Sequence, residues 1–165
     1  MTQEEKRKGP VYTGLRRYVS GGGYAIWYPM GWREIPMTGE HKGIILAPYP
    51  DHVNTCIAAE KIILPLEVKK EDALTLKKGF EVGIKALEGA EIEMIEDSIT
   101  NNLVLLDARY TFLENGVRRK RWTRNLYWNE AQLVLLAQGQ TVEDYDYWLP
   151  VFYNSLMTTE VASPY

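Results

Sequence analysis

Two histidines, one cysteine and a run of arginines are the residues with which this chain could do chemistry. His41 and His52 fall in segments rich in Gly, Pro and Asp, the composition of surface loops. Asp51, His52 and Cys56 are close enough in sequence to suggest a metal site or a Cys-His pair. They straddle a loop-to-strand transition and lack the paired C-x-x-C spacing of zinc sites, so no metal is expected. Cys56, within Thr55-Cys56-Ile57-Ala58-Ala59, reads as a small core residue. Ser20, Ser98, Ser155 and Ser163 carry no nucleophile-elbow motif. Gly21-Gly22-Gly23 leads into a strand, whereas a phosphate loop must lead into a helix. Glu143, Asp144 and Asp146 crowd one turn and suit a helix start better than an acid/base pair. No catalytic set assembles, so the reading is a non-enzyme with no catalytic residue and no cofactor.

The basic run Arg118-Arg119-Lys120-Arg121-Trp122-Thr123-Arg124 stands above background. On a strand, Arg119, Arg121 and Thr123 share one face, and Arg118, Lys120, Trp122 and Arg124 the other. A two-residue turn at Asn115-Gly116 pairs Asp107 with Arg124 and Arg109 with Trp122; a three-residue turn puts Arg109 opposite Arg121. Both registers stay open at this level. Phosphate binding of useful strength draws on about 6–10 contacts. The strand offers five cations, and no Lys or Arg follows Asn129, so nucleic acid is not an expected partner. Arg, Trp and Tyr dominate protein interfaces, which makes Arg109, Arg119, Arg121, Trp122 and Arg124 the candidate binding residues. The rival is a pocket between sheet and helix lined by Trp27, Tyr28, Phe80 and Tyr110, for a small apolar or anionic ligand.

The elements that must position these residues follow from periodicity and breakers. Two short β-like runs between Leu15 and Tyr28 flank Ser20-Gly21-Gly22-Gly23 and read as a hairpin, stopped at Pro29. Gly43 to Ala47 and Thr55 to Leu64 read as strands ended by prolines. Ala73, Leu76, Phe80, Ile84 and Leu87 recur at helical spacing, predicting a helix from about Glu71 to Glu88. Gly79 and Gly83 lie inside it, each costing about 1 kcal/mol relative to Ala, which suggests close packing of the helix backbone on a sheet. Four strands follow: Glu91 to Asp97 as a charged edge, Leu103 to Leu113, Val117 to Trp128, and Gln132 to Gln138. The last is aliphatic without alternation and is expected to be covered on both faces. Pro150 places the start of the closing helix near Tyr147, with Thr141 to Asp146 as a separate acidic turn. Hairpin connections between these elements favour an α+β fold with an antiparallel sheet.

The chain has 165 residues, of which 45% are hydrophobic and 25% charged, enough to bury a core without disulfides. Its net charge is −3. Residues 1–14 read as a flexible tail, 15–158 as one domain and 159–165 as a second tail. A single cysteine, an N-terminus without an apolar segment, and no run of roughly 20 apolar residues imply a cytoplasmic protein without a membrane span. A leader removed beforehand would leave the same sequence. A basic hairpin and an acidic C-terminal segment on one chain are consistent with self-association.

The segment Gly23-Tyr24-Ala25-Ile26-Trp27-Tyr28-Pro29-Met30-Gly31-Trp32 resembles the Gly-aromatic-x-Ile-x-Tyr-Pro-x-Gly-Trp opening of the PsbP/Mog superfamily. The order of the later segments is similar too: a mid-chain helix, an Arg-rich strand, the aliphatic Leu133 to Ala137, and a closing helix over Tyr147 to Leu156. The resemblance spans residues 17 to 158. It implies an α-β-α sandwich around a central antiparallel sheet. Members include extrinsic photosystem II subunits, a Ran-binding nuclear protein and bacterial adaptor chaperones of type VI secretion effectors. What it implies for function is protein binding, of an adaptor or chaperone-like kind, with a protein partner.

Overall fold

A computed structural model describes residues 2, 9–38, 40 and 42–162. His41, Ser163 and most of the expected N-terminal tail lie outside them. The chain runs β1 (Leu15–Val19), β2 (Tyr24–Pro29), β3 (Arg33–Pro36), β4 (Gly43–Ala47), β5 (Cys56–Ile63), α1 (Ala73–Lys85), β6 (Glu91–Thr100), β7 (Leu103–Glu114), β8 (Val117–Trp128), β9 (Ala131–Gly139), α2 (Val142–Met157) and β10 (Glu160–Val161). A single 3-10 turn, Lys70–Asp72, precedes α1.

Seven strands form one antiparallel sheet in the order β3-β4-β5-β9-β8-β7-β6. The chain leaves the middle of the sheet after β5, crosses one face as α1, re-enters at the far edge as β6, and returns by three tight hairpins. Each hairpin has a two-residue loop whose first residue is an asparagine in the left-handed region: Asn101, Asn115 and Asn129, with φ of 54°, 51° and 49°. Asparagine tolerates that conformation, and Gly116 at φ 75° completes a turn of the kind that suits twisted strands.

The helices lie on opposite faces of the sheet. Helix α2 and a second, three-stranded sheet (β1-β2-β10) close one face over a continuous core that includes Tyr28, Trp122, Leu133, Leu135 and Phe152. Each such side chain contributes about 1.5–3 kcal/mol by leaving water. Helix α1 packs mainly over β6 and β7, on Val104 and Leu106 with Tyr127 of β8 at one end and on Ala108, Tyr110 and Phe112 at the other. This is an α+β fold with a helix on each side of an antiparallel sheet.

Three expectations need correction. The closing helix is continuous from Val142, capped by the Thr141 hydroxyl accepting from the Asp144 N–H at 3.1 Å. Pro150 sits inside it and is tolerated because Pro150 and Asp146, whose carbonyl loses its partner, both face solvent. Strand β9 is covered on one side only: Leu133, Leu135 and Ala137 are buried, while Gln132, Val134 and Leu136 are half-exposed. The C-terminal tail is ordered at its start. Glu160–Val161 pair with β2, the Ala162 N–H donates to the Gly23 carbonyl at 2.6 Å, and Arg17 pairs with Glu160.

Strand β9 meets α2 through Gly139, where a Cβ would stand 2.3 Å from the Tyr145 nitrogen and 2.6 Å from the Thr141 carbonyl oxygen. Both are backbone atoms of the helix start and cannot swing aside. Gly139→Ala is therefore expected to cost about 3 kcal/mol, the upper range for overpacking. Urea unfolding monitored by tryptophan fluorescence measures it.

Candidate functional site

The Asn115–Gly116 turn sets β7 against β8 with Asp107 opposite Arg124 and Arg109 opposite Trp122. Trp122 has no exposed surface, and its indole N–H donates to Asp107 Oδ1 at 2.6 Å. The Arg109 guanidinium stacks 4.4 Å from the same ring. Arg124 places Nε 3.4 Å from Asp107 Oδ2 and donates through Nη1 to the Leu156 carbonyl at 3.1 Å. Lys120 pairs with Glu93 at 2.9 Å. All of these lie on the α2 side. On the α1 side, Arg119 lies 3.1 Å from Glu114, and Arg121 gives Nε and Nη2 to Gln138 Oε1 at 2.9 and 2.6 Å.

The five candidate binding residues therefore do not share a surface. The pleat sends Arg109, Trp122 and Arg124 to one face and Arg119 and Arg121 to the other. The hairpin's cations find Glu93, Asp107 and Glu114 rather than the acidic turn at 143–146; Asp144 there accepts from Tyr49 at 2.9 Å and Thr55 at 2.6 Å. Arg121 is held by neutral groups. Its hydrogen-bond acceptor is a neutral amide, its other neighbour is the Phe112 ring at 4.5 Å, and no carboxylate pairs with it among the described residues.

Arg121 lines a groove of about 520 Å³ between α1 and the sheet, with Leu76 and Phe80 above and Tyr110, Asn125 and Tyr127 below. Of the pocket residues expected from sequence, the structure brings Phe80 and Tyr110 together here. Trp27 and Tyr28 belong to β2, in the small sheet on the opposite side; Tyr28 is buried there and donates to Glu34. Gly79 and Gly83 also line the groove, and they reverse the expectation placed on them. Neither lets the helix press onto the sheet, for a Cβ at either position meets no atom within 4 Å. Both are exposed and line the open side of the groove. Asn125 escaped sequence reasoning: it is 7% exposed, and its Oδ1 is buried without a hydrogen-bond partner.

Elsewhere the described histidine, cysteine and several tyrosines are hydrogen-bonded or buried. His52 accepts the Asn54 N–H at its Nδ1 and packs on Tyr49. Burial pushes the Cys56 thiol up to about 12. Tyr49 is likewise raised to about 12, by burial and by donating to Asp144, and Tyr145 to about 12 by burial. No cluster of three His, Cys, Asp or Glu fit for a metal occurs among the described residues. A second cleft of about 540 Å³ lies beside Tyr18, Tyr24 and Lys61, but Lys61 is bonded to the Gly22 carbonyl and no unpartnered buried side chain points into it among the described residues.

The cyanobacterial PsbP (CyanoP) of Synechocystis sp. PCC 6803 superposes with a TM-score of 0.63 over 93% of this chain and 95% of its own, at 14% identity. The fold is PsbP-like. LpqN of Mycobacterium tuberculosis, a protein involved in cell envelope biogenesis, matches with a TM-score of 0.61 at 13% identity, covering 97% of this chain and 96% of its own. A Bacteroides thetaiotaomicron protein matches with a TM-score of 0.60 at 11% identity; there 90% of this chain covers 48% of the other. No family model and no curated protein matches the sequence. At these identities the likeness to PsbP-like proteins is one of fold.

Two outcomes follow from this geometry. Gly79→Ala and Gly83→Ala should each raise stability by about 1 kcal/mol, because the added methyl meets nothing and the helix gains propensity. Urea midpoints of the two variants check this. The raised thiol and phenols give the alkaline limit. The folded protein holds those protons more tightly than the unfolded chain, so their contribution is complete below about pH 9, the thiol's ordinary value, and is lost as pH rises toward 12. Thermal unfolding followed across that window should show a falling midpoint, with a shallower fall in Cys56→Ala.

Proposed function

We propose that this PsbP-like chain is a non-catalytic protein-binding module, adaptor or chaperone-like, whose docking surface is the half of the long sheet that α1 leaves open. The observation that carries this reading is a row of apolar residues at registered positions across four strands. Ile35 pairs with Ile45, Ile45 with Ala58, and Ala58 with Leu136. Their neighbours Ile44, Leu46 and Ile57 point into the core under α2, so the row faces the α1 side, beyond the reach of that helix. Ile35, Ile45, Val134 and Leu136 remain half-exposed, and no described helix covers them.

Half-exposed apolar residues grouped on one face with a polar border, here Gln132 and Arg121, are the make-up of a protein interface. No described helix is long and apolar enough to cross a membrane. The groove beneath α1 favours a second, compatible reading, a small ligand held beside the same face.

Affinity capture with the wild-type chain and with Ile45→Glu/Leu136→Glu tests the docking surface. Both side chains are half-exposed, so the variant should keep its thermal midpoint within a few degrees while losing the partner that the wild type enriches. Retention of every partner by a folded variant would falsify the assignment.

A further inference from the structure

We infer that the groove between α1 and the sheet is a binding site for an elongated amphiphile that carries an anionic group at one end and a hydrogen-bond donor at the other, of the ω-hydroxy acid class. The inference goes beyond the protein-binding reading and does not rest on it.

Room is the first requirement. Thr75, Gly79 and Gly83 share one exposed stripe of α1 and line the open side of a groove of about 520 Å³, beside the stripe of Leu76, Phe80 and Ile84 that reaches the sheet. That volume is within the range of small-molecule sites, which are largely apolar with a few placed polar groups. With no side chain at Gly79 or Gly83, nothing on that stripe stands across the groove's open side.

Polarity is the second. Asn125 Oδ1 is buried in the sheet at the groove and accepts nothing, a state that buried amides rarely sustain. It requires a donor. Arg121 brings a positive charge compensated by no described carboxylate, and two of its nitrogens are spent on the neutral Gln138. It suits an anion. Between the two in β8 lies Thr123, whose hydroxyl is already engaged with Tyr110 at 3.0 Å, so the middle of the floor makes no polar demand. Apolar side chains, Leu76 and Phe80 above and Tyr110 and Tyr127 below, complete the walls.

Spacing then selects the ligand. Arg121 and Asn125 are four residues apart on one face of a strand, roughly 13 Å at about 3.3 Å per residue. A carboxylate on Arg121 and a terminal hydroxyl donating to Asn125 Oδ1 therefore call for a saturated chain of medium length between them.

Titration calorimetry on the full chain with ω-hydroxydecanoate, decanoate and decanediol tests this. The hydroxy acid should bind saturably, about tenfold tighter than decanoate, which lacks the donor, and about tenfold tighter than the diol, which lacks the charge. Asn125→Leu should abolish the preference over decanoate, and Arg121→Gln the preference over the diol. Gly79→Leu, which fills the groove from a position with free space, should weaken all three at least tenfold without lowering the thermal midpoint. No saturable heat from any ligand, equal affinities of the wild type for all three, or undiminished binding to folded Gly79→Leu would each overturn the proposal. The wild-type comparison decides the matter even where a variant fails to fold.

Discussion

The two-residue loop at Asn115–Gly116 pairs Glu114 with Val117, and that register sets which polar side chains of β7 and β8 meet. Side chains alternate between faces with a period of two, so a slip of one residue would send the whole of β8 to the wrong side. In the register adopted, Asp107 stands where it can accept from the buried Trp122 indole and lie beside Arg124, three groups that would otherwise be costly inside the core. The same register carries Arg121 and Asn125 to the opposite face, next to Tyr110 and Leu106. Core solvency on the α2 side and the polar features of the groove are thus consequences of one turn.

A sheet of seven strands has more apolar face than this chain's helices can cover. Helix α2 and the small sheet close one side, their packing tightened by the Thr141 cap and by Asp144, which ties the helix start to Tyr49 and Thr55. On the other side α1 is thirteen residues long and is held over the far edge, where Lys77 pairs with Asp97 at 2.9 Å. It cannot reach β4 or β5. Where the helix ends laterally the groove begins, and beyond the groove the open row of Ile35, Ile45 and Leu136. Both candidate sites are products of the same shortfall in cover.

Much of this was legible in the residues. The apolar period of 73–87 marked α1, Asn115-Gly116 marked the central hairpin, and the Tyr-Pro-Met-Gly-Trp segment marked the PsbP-like fold that the superpositions bear out. Strand β3 was not legible: Arg33–Pro36 is four residues long, carries two charges and ends in proline, and it is a strand by its pairing with β4, with the Arg33 side chain donating to the Tyr49 and His52 carbonyls. The division of the basic run between two faces was legible from the strand's alternation, but partners remote in sequence, Glu93, Asp107 and Gln138, decide what each guanidinium or ammonium does. Glycine in a helix carries two opposite meanings, close approach or empty space, and only the neighbouring element tells them apart. Asn125 gave no signal at all, since an unpartnered oxygen is a property of its surroundings.

The sheet's edges bear on how a protein partner could engage it. An exposed edge strand invites pairing with another chain, and both edges here are guarded. Strand β6 presents Glu91, Glu93, Glu96 and Asp97, all exposed, and its register shifts between Ile92 and Met94. Strand β3 is short and closes with Pro36, which donates no hydrogen bond. Strand addition is therefore disfavoured at either end. What the sheet leaves available is its side-chain surface on the α1 side, where recognition rests on shape and apolar area, and where the position of α1 determines how much of that surface is open. A ligand seated in the groove would lie against both α1 and the rim of this surface, so occupancy of the one and access to the other share a boundary at Arg121 and Gln138.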